Sequence, residues 1–158
     1  MKLLRGFIIG FVKVITGVNA VWLDEEPPAP RLRVYFANHG SHLDFATVYA
    51  ALPPHLREHT RPVAARDYWS KSPVRRGLAV NVFNSLLISR DTITRTDNPI
   101  EQMAAALRDQ WSLILFPEGT RSFDGEVRAF KPGLHHLAKK VPDLEFVPVY
   151  LQLSLIHI

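Results

Sequence analysis

The chain contains no cysteine among its 158 residues. That absence excludes disulfide staples, thiolate-bound zinc and a cysteine nucleophile, and it leaves the redox compartment undetermined. Internal repeats and low-complexity stretches are also missing. The Lys and Arg residues are scattered rather than run together, and no nucleic-acid-binding signature accompanies them. Ser41 lacks the Gly-x-Ser-x-Gly elbow of a hydrolase nucleophile. What is present fits one domain of ordinary size with a real core. Hydrophobic residues make up 47% and charged residues 22%, which excludes a disordered chain and a polytopic membrane protein. A formal net charge of +4 and a pI near 9.6 favour an anionic partner, with lipid and phosphate ranked above nucleic acid.

Residues 3–22 are nearly all apolar, interrupted by Arg5, Lys13 and Asn19. As one helix the segment would reach about 30 Å, the thickness of a hydrocarbon core. A Lys near its middle costs roughly 2.5–3.5 kcal/mol at the bilayer centre, which argues against a clean span. An anchor lying in the interface, with Lys2, Arg5 and Lys13 at headgroup level, suits it better. A signal peptide, with a weak cleavage site at Val18-Asn19-Ala20, and a soluble core helix are the competing readings. We therefore divide the chain into a membrane-associating helix over 1–23, a stiff Pro-rich linker over 24–31 and a domain over 32–152. Residues 153–158 follow without a turn signal or a polar end, and read as a non-native tail on a C-terminally truncated domain.

Within the domain, strand-like and helix-like segments alternate. Strands are expected over 32–37, 62–65, 85–89, 112–116 and 144–150. Helices are expected from just after Gly40 to about Leu52, over 73–83 with Ser72 as cap, from Asn98 to about Gln110, and over 134–140. In Asn98-Pro99-Ile100-Glu101 an N-cap, a Pro and a capping-box Glu coincide. The alternation predicts an α/β fold, a largely parallel sheet flanked by helices, with ligands beyond the carboxyl ends of the strands.

Two segments fall at such ends. Asn38-His39-Gly40-Ser41-His42-Leu43-Asp44 supplies an imidazole and a carboxylate close enough to act as a base and its orienter. Ser41 and Asp44 also fit a capping box, and His39, His42 and Asp44 could instead contribute to a metal site, which would need further ligands. Phe116-Pro117-Glu118-Gly119-Thr120-Arg121-Ser122 supplies a Gly-containing turn and a guanidinium fork, a seat for a phosphate. Arg90, at the end of the third strand, is a second candidate cation for that anion.

These two segments, in this order and separation, resemble the glycerolipid acyltransferase family, and within it the 1-acylglycerol-3-phosphate (lysophosphatidic acid) acyltransferases. Residues 84–90, Phe130-Lys131-Pro132-Gly133 and Val147-Pro148-Val149 are similar to further blocks of the family. Asn84 stands where the family has Gly. The resemblance implies His39 as general base, Asp44 as its orienter, and Arg90, Glu118, Gly119 and Arg121 as part of the acceptor site. Pro148 would help to shape the pocket. It implies transfer of an acyl group from acyl-CoA or acyl-carrier protein to the hydroxyl of a lysophospholipid, giving phosphatidic acid. It calls for no cofactor beyond that donor. Lys2, Arg5, Arg31 and Arg33, which flank the apolar N-terminal run, suit a re-entrant or surface helix with the catalytic domain in the cytoplasm, and no nucleic acid is expected as partner. A metal-dependent hydrolase and a non-catalytic lipid-binding module are the alternatives.

Overall fold

The computed structural model describes residues 2–23, 31–41, 43–89, 94, 97–122 and 126–152. The expected linker, the tail, His42 and Arg90 therefore lie outside the described residues, apart from Arg31 at the linker's end. Five strands form one parallel sheet in the order β3-β2-β4-β1-β5. They are β1 (Arg33–Ala37), β2 (Thr60–Ala65), β3 (Leu86–Ile88), β4 (Ser112–Leu115) and β5 (Glu145–Val149).

Strict side-chain alternation divides the core in two. Val34, Leu113 and Leu115 point to one face, against Met103, Ala104 and Leu107 of helix α6 (Pro99–Arg108) and Leu137 of α7 (Gly133–Lys140). Tyr35, Ala37 and Ile114 point to the other, against Ala46, Val48, Tyr49 and Ala50 of α2 (Asp44–Ala51) and Ile9 and Val12 of α1 (Lys2–Thr16). A sheet covered on both faces explains why the central strand β4 is apolar and fully buried after its first residue, Ser112. Short helices α3 (Pro54–Arg57), α4 (Arg66–Trp69) and α5 (Pro73–Gly77) complete the connections.

Two prolines mark where ladder bonds are dispensable. Thr60–Pro62 of β2 pair with β4 and Val63–Ala65 with β3, so the strand changes partner at Pro62, which has no N–H to give. Pro148 sits opposite Phe36 in the edge strand β5, where sheets tolerate proline.

Three expectations need correction. The N-terminal helix ends at Thr16, about 22 Å long at 1.5 Å per residue, because Gly17 adopts a left-handed backbone and returns its N–H to Lys13. No helix among the described residues is long and apolar enough to cross a membrane. Arg5 does not reach outward: its Nε donates to the Val82 carbonyl at 2.6 Å, tying α1 to the domain. The helix expected over 73–83 is α-helical only to Gly77 and continues as a π-helical turn over Leu78–Val82. That wider turn carries buried Val82, and Phe83 just beyond it packs edge-on against both Phe45 and Tyr49.

The cap of α6 forms as expected, with Asn98 Oδ1 accepting from Ile100 and Glu101. Glu101 itself pairs with Lys140, joining α6 to α7.

Asn84 has a φ of 53°, and its carbonyl accepts from Arg61 Nε at 2.9 Å. The position between the π-helical turn and β3 thus demands a left-handed residue. Asn is among the few side chains that enter this region readily. Asn84→Gly should leave stability within about 0.5 kcal/mol, whereas Asn84→Val should cost about 1–2 kcal/mol, measured by urea denaturation.

Candidate active site

The chain leaves β1 through α2 on one face of the sheet and leaves the adjacent β4 through α7 on the other. Neighbouring strands whose connections depart to opposite sides open a crevice at their carboxyl ends. Residues 38–41 line it from β1 and residues 116–122 from β4.

Asp44, 1% exposed, organises the first loop. Its Oδ2 accepts the backbone N–H groups of Gly40 and Ser41, both at 2.7 Å, and lies 2.9 Å from His39 Nδ1. The expected capping box does not form, since Leu43 is the N-cap of α2 and no side chain caps it; Asp44 Oδ2 instead braces the loop and orients the ring. Ser41 contributes differently from a regular cap, since its hydroxyl accepts from Leu43 rather than from Asp44. A carboxylate on Nδ1 directs the proton there and leaves Nε2 as the basic nitrogen. The imidazole also stacks on Phe116, with ring centroids 4.3 Å apart and planes 24° from parallel, which limits its rotation.

The second loop holds His39 by its main chain. The His39 N–H donates to Glu118 Oε1 at 3.0 Å, and the His39 carbonyl accepts from Ser122 N–H at 2.7 Å. Glu118 is 3% exposed, and its Oε2 is buried without a hydrogen-bond partner. Expected as part of the acceptor site, Glu118 gives its partnered oxygen to the His39 backbone. Gly119 has a φ of 71° and its N–H closes a turn onto Phe116, so that amide is not available to an anion. Arg121 is half-buried and follows on the same loop. Thus hydrogen bonds join His39, Asp44 and Glu118, and Gly119 and Arg121 lie on the loop that holds the His39 backbone. Among the described residues no three His, Cys, Asp or Glu side chains come together as a metal site.

Two residues escaped the sequence reading. Asn38 pairs with Leu151 in both directions, Nδ2 donating to its carbonyl at 3.1 Å and Oδ1 accepting its N–H at 2.7 Å. Its amide imitates a strand backbone and extends the β1–β5 ladder beyond Ala37 and Val149. Arg66, at the end of β2, donates to Asp97 at 2.6 Å, to Ser89 Oγ and to the Leu87 carbonyl, clamping the end of β3 that leads to Arg90. The Ser89 hydroxyl, then Arg66, hold the Asp97 carboxyl below the usual carboxylate range. Its position directly after a strand was the available signal for Arg66.

Beside the crevice, a cavity of about 600 Å³ runs along β1 and β5 under residues 18–23. Val48, Leu52, Val147 and Val149 make it apolar, Asn38 stands at one end, and the Arg33–Glu145 ion pair (2.7 Å) at the other.

Removing the acceptor of a buried N–H costs about 1–3 kcal/mol. Glu118→Ala should therefore lower the unfolding free energy by that amount, while Glu118→Gln, which keeps an oxygen for the His39 N–H, should lose less than half as much. Urea denaturation of the two variants decides it; equal losses would show that the contact with His39 is not what Glu118 provides.

A family model described as Acyltransferase matches residues 24–152. The 1-acyl-sn-glycerol-3-phosphate acyltransferase alpha of sheep (Ovis aries) is 29% identical over 154 residues, covering 96% of this chain and 50% of that protein. The 1-acyl-sn-glycerol-3-phosphate acyltransferase of coconut (Cocos nucifera) is 32% identical over 120 residues, covering 75% of this chain and 36% of that protein. The chain thus spans about half the length, or less, of these curated relatives. The crystal structure of the 1-acyl-sn-glycerophosphate (LPA) acyltransferase PlsC from Thermotoga maritima shares the fold, with a TM-score of 0.62 at 21% identity over 94% of this chain and 66% of that one. A matched region that runs through both loops of the crevice carries the conclusion: the chain belongs to the acyltransferase family.

Proposed function

We propose that this domain transfers a fatty acyl group from an acyl thioester, acyl-CoA or acyl-carrier protein, to the free hydroxyl of a lysophospholipid, with 1-acylglycerol-3-phosphate as acceptor and phosphatidic acid as product. The observation that carries it is the 2.9 Å contact between His39 Nδ1 and Asp44, placed at the sheet's crevice in a chain of this family. His39 Nε2 takes the acceptor proton as the hydroxyl oxygen attacks the thioester carbonyl. Asp44 stabilises the imidazolium that results. The thiolate leaves, and the transfer needs no covalent enzyme intermediate, in keeping with a chain that lacks Cys. Arg121 and, on the strength of its place in the sequence, Arg90 hold the acceptor phosphate, so that the hydroxyl meets the donor already oriented. Glu118 works through the His39 backbone. The apolar cavity beside Asn38 suits an acyl chain.

The bilayer enters through α1. Its inner face, Ile9 and Val12, is buried, but its outer face stays apolar: Phe7 is 74% and Val14 84% exposed, with Leu3 and Phe11 alongside. A helix apolar on both sides of a soluble fold, with a Lys beside the outer stripe, suits adsorption to a membrane surface. On this reading the crevice serves a membrane surface into which acceptor and product partition, with the domain on the cytoplasmic side, where acyl thioesters are found.

Thiol release from palmitoyl-CoA against a panel of lysophospholipids tests the reaction. His39→Ala should lower the rate by about two to four decades, the size of a general-base effect; near-normal turnover would remove His39 from the mechanism. For the membrane, Phe7→Asp combined with Val14→Asp should weaken sedimentation with anionic vesicles by about tenfold or more, since each exposed apolar side chain contributes roughly 1.5–3 kcal/mol on burial. Unchanged sedimentation would assign membrane contact to another part of the protein.

A further inference from the structure

The outer face of α7 is basic and carries no acid. Leu134 and Leu137 pack toward the sheet, so the helical repeat turns His135, His136 and Lys139 outward, and all three are exposed. No Asp or Glu stands between Val127 and Pro142, whereas Arg128, Lys131, His135, His136, Lys139 and Lys140 do. Glu101 of the neighbouring α6 is taken up by Lys140. At the other end of α6, Arg108 and Asp109 are both exposed and cancel in formal charge.

This basic surface starts beside the crevice. The Lys131 N–H donates to the Pro117 carbonyl at 2.9 Å, on the strand-end loop whose Glu118 holds the His39 backbone, and α7 begins two residues later. The helix then runs back about 12 Å toward the amino ends of the strands, where β5 starts. Its side of the sheet decides what it can meet. Helices α1 and α2 cover one face, and α6 and α7 cover the other. With the exposed apolar stripe of α1 lying on a bilayer, the outer face of α7 looks away from the lipid and into the soluble compartment.

We propose that the outer face of α7 docks an acidic acyl-carrier protein, which presents its acyl thioester to the crevice from the side of the sheet opposite α1. This rests on the acyl-transfer reading above and on α1 as the membrane side, and it chooses between the two donors that reading allows. The phosphates of acyl-CoA would need cations only at the crevice itself. A basic face that extends along a whole helix, away from the membrane, is matched by a soluble macromolecule of opposite charge, for which such a surface speeds and orients the encounter.

The experiment compares the wild type with a chain carrying His135→Glu and Lys139→Glu, using palmitoyl-acyl-carrier protein and palmitoyl-CoA in turn as donors. Charge reversal should raise KM for the carrier protein roughly tenfold or more, the low end of electrostatic steering, while kcat/KM with palmitoyl-CoA stays within about twofold. Intact turnover of palmitoyl-CoA also shows that the variant is folded. Should it fail to fold, His135→Gln with Lys139→Gln takes its place, with a smaller rise in the same direction. In the wild type, added salt should raise KM for the carrier protein more steeply than KM for palmitoyl-CoA. Turnover of palmitoyl-CoA alone, an unchanged KM for the carrier protein, or equal rises for both donors would overturn the proposal. So would weaker sedimentation of the variant with anionic vesicles, which would make this face a membrane contact. Should the wild-type chain release no thiol from either donor, the reaction reading fails by itself. Titration calorimetry with palmitoyl-acyl-carrier protein then judges the surface: weaker binding to the charge-reversed chain than to wild type supports it, and equal or absent binding overturns it.

Discussion

Everything at the crevice depends on how one buried carboxylate is satisfied. An ionised Asp at 1% exposure is tolerable only with several donors, and Asp44 Oδ2 has three: two backbone amides and the imidazole of His39. The two amides curl residues 39–41 around the carboxylate, and that curl is what carries the ring to it. The loop's conformation and the ring's orientation are thus one arrangement. Asp44 also heads α2, where the positive end of the helix favours a negative charge. The His39 ring is therefore oriented by the first residue of α2.

The second strand end completes this by gripping the backbone of His39 rather than its ring. Glu118 takes the N–H and Ser122 gives an N–H to the carbonyl, so the residue is pinned on both sides while its imidazole keeps a single polar partner. Stacking on Phe116 supplies the remaining restraint. On the proposed function this division suits a group that accepts and returns a proton, because the main chain is held while Nε2 has no partner among the described residues.

Much of this was legible in the residues. Alternating strand and helix patterns gave the parallel sheet, because both faces must be covered and the central strands are continuously apolar. Each of the five expected strands overlaps an observed one within two residues at either end, and the His39–Asp44 contact followed from a loop-to-helix spacing. What was not legible is non-local. Nothing near Glu118 indicates that its partner is a backbone N–H 79 residues away, nor that Asn38 substitutes for a strand backbone at Leu151. The helix over 73–83 was misjudged in type because a π-helical turn keeps helical periodicity almost intact. The long N-terminal helix was overestimated because apolar character continues past Gly17, whereas the backbone at that glycine stops the helix.

The Asn38–Leu151 pairing has a consequence for biosynthesis. Residues separated by 113 positions must meet before the loop that bears the base is braced from its β5 side. Strand β1 is made before both its neighbours, β4 and β5. During translation the emerging polypeptide would hold its imidazole in an unbraced segment until β4 and β5 have left the ribosome. If the proposed transfer is its activity, a nascent chain would thus remain inert toward acyl thioesters until β5 has docked.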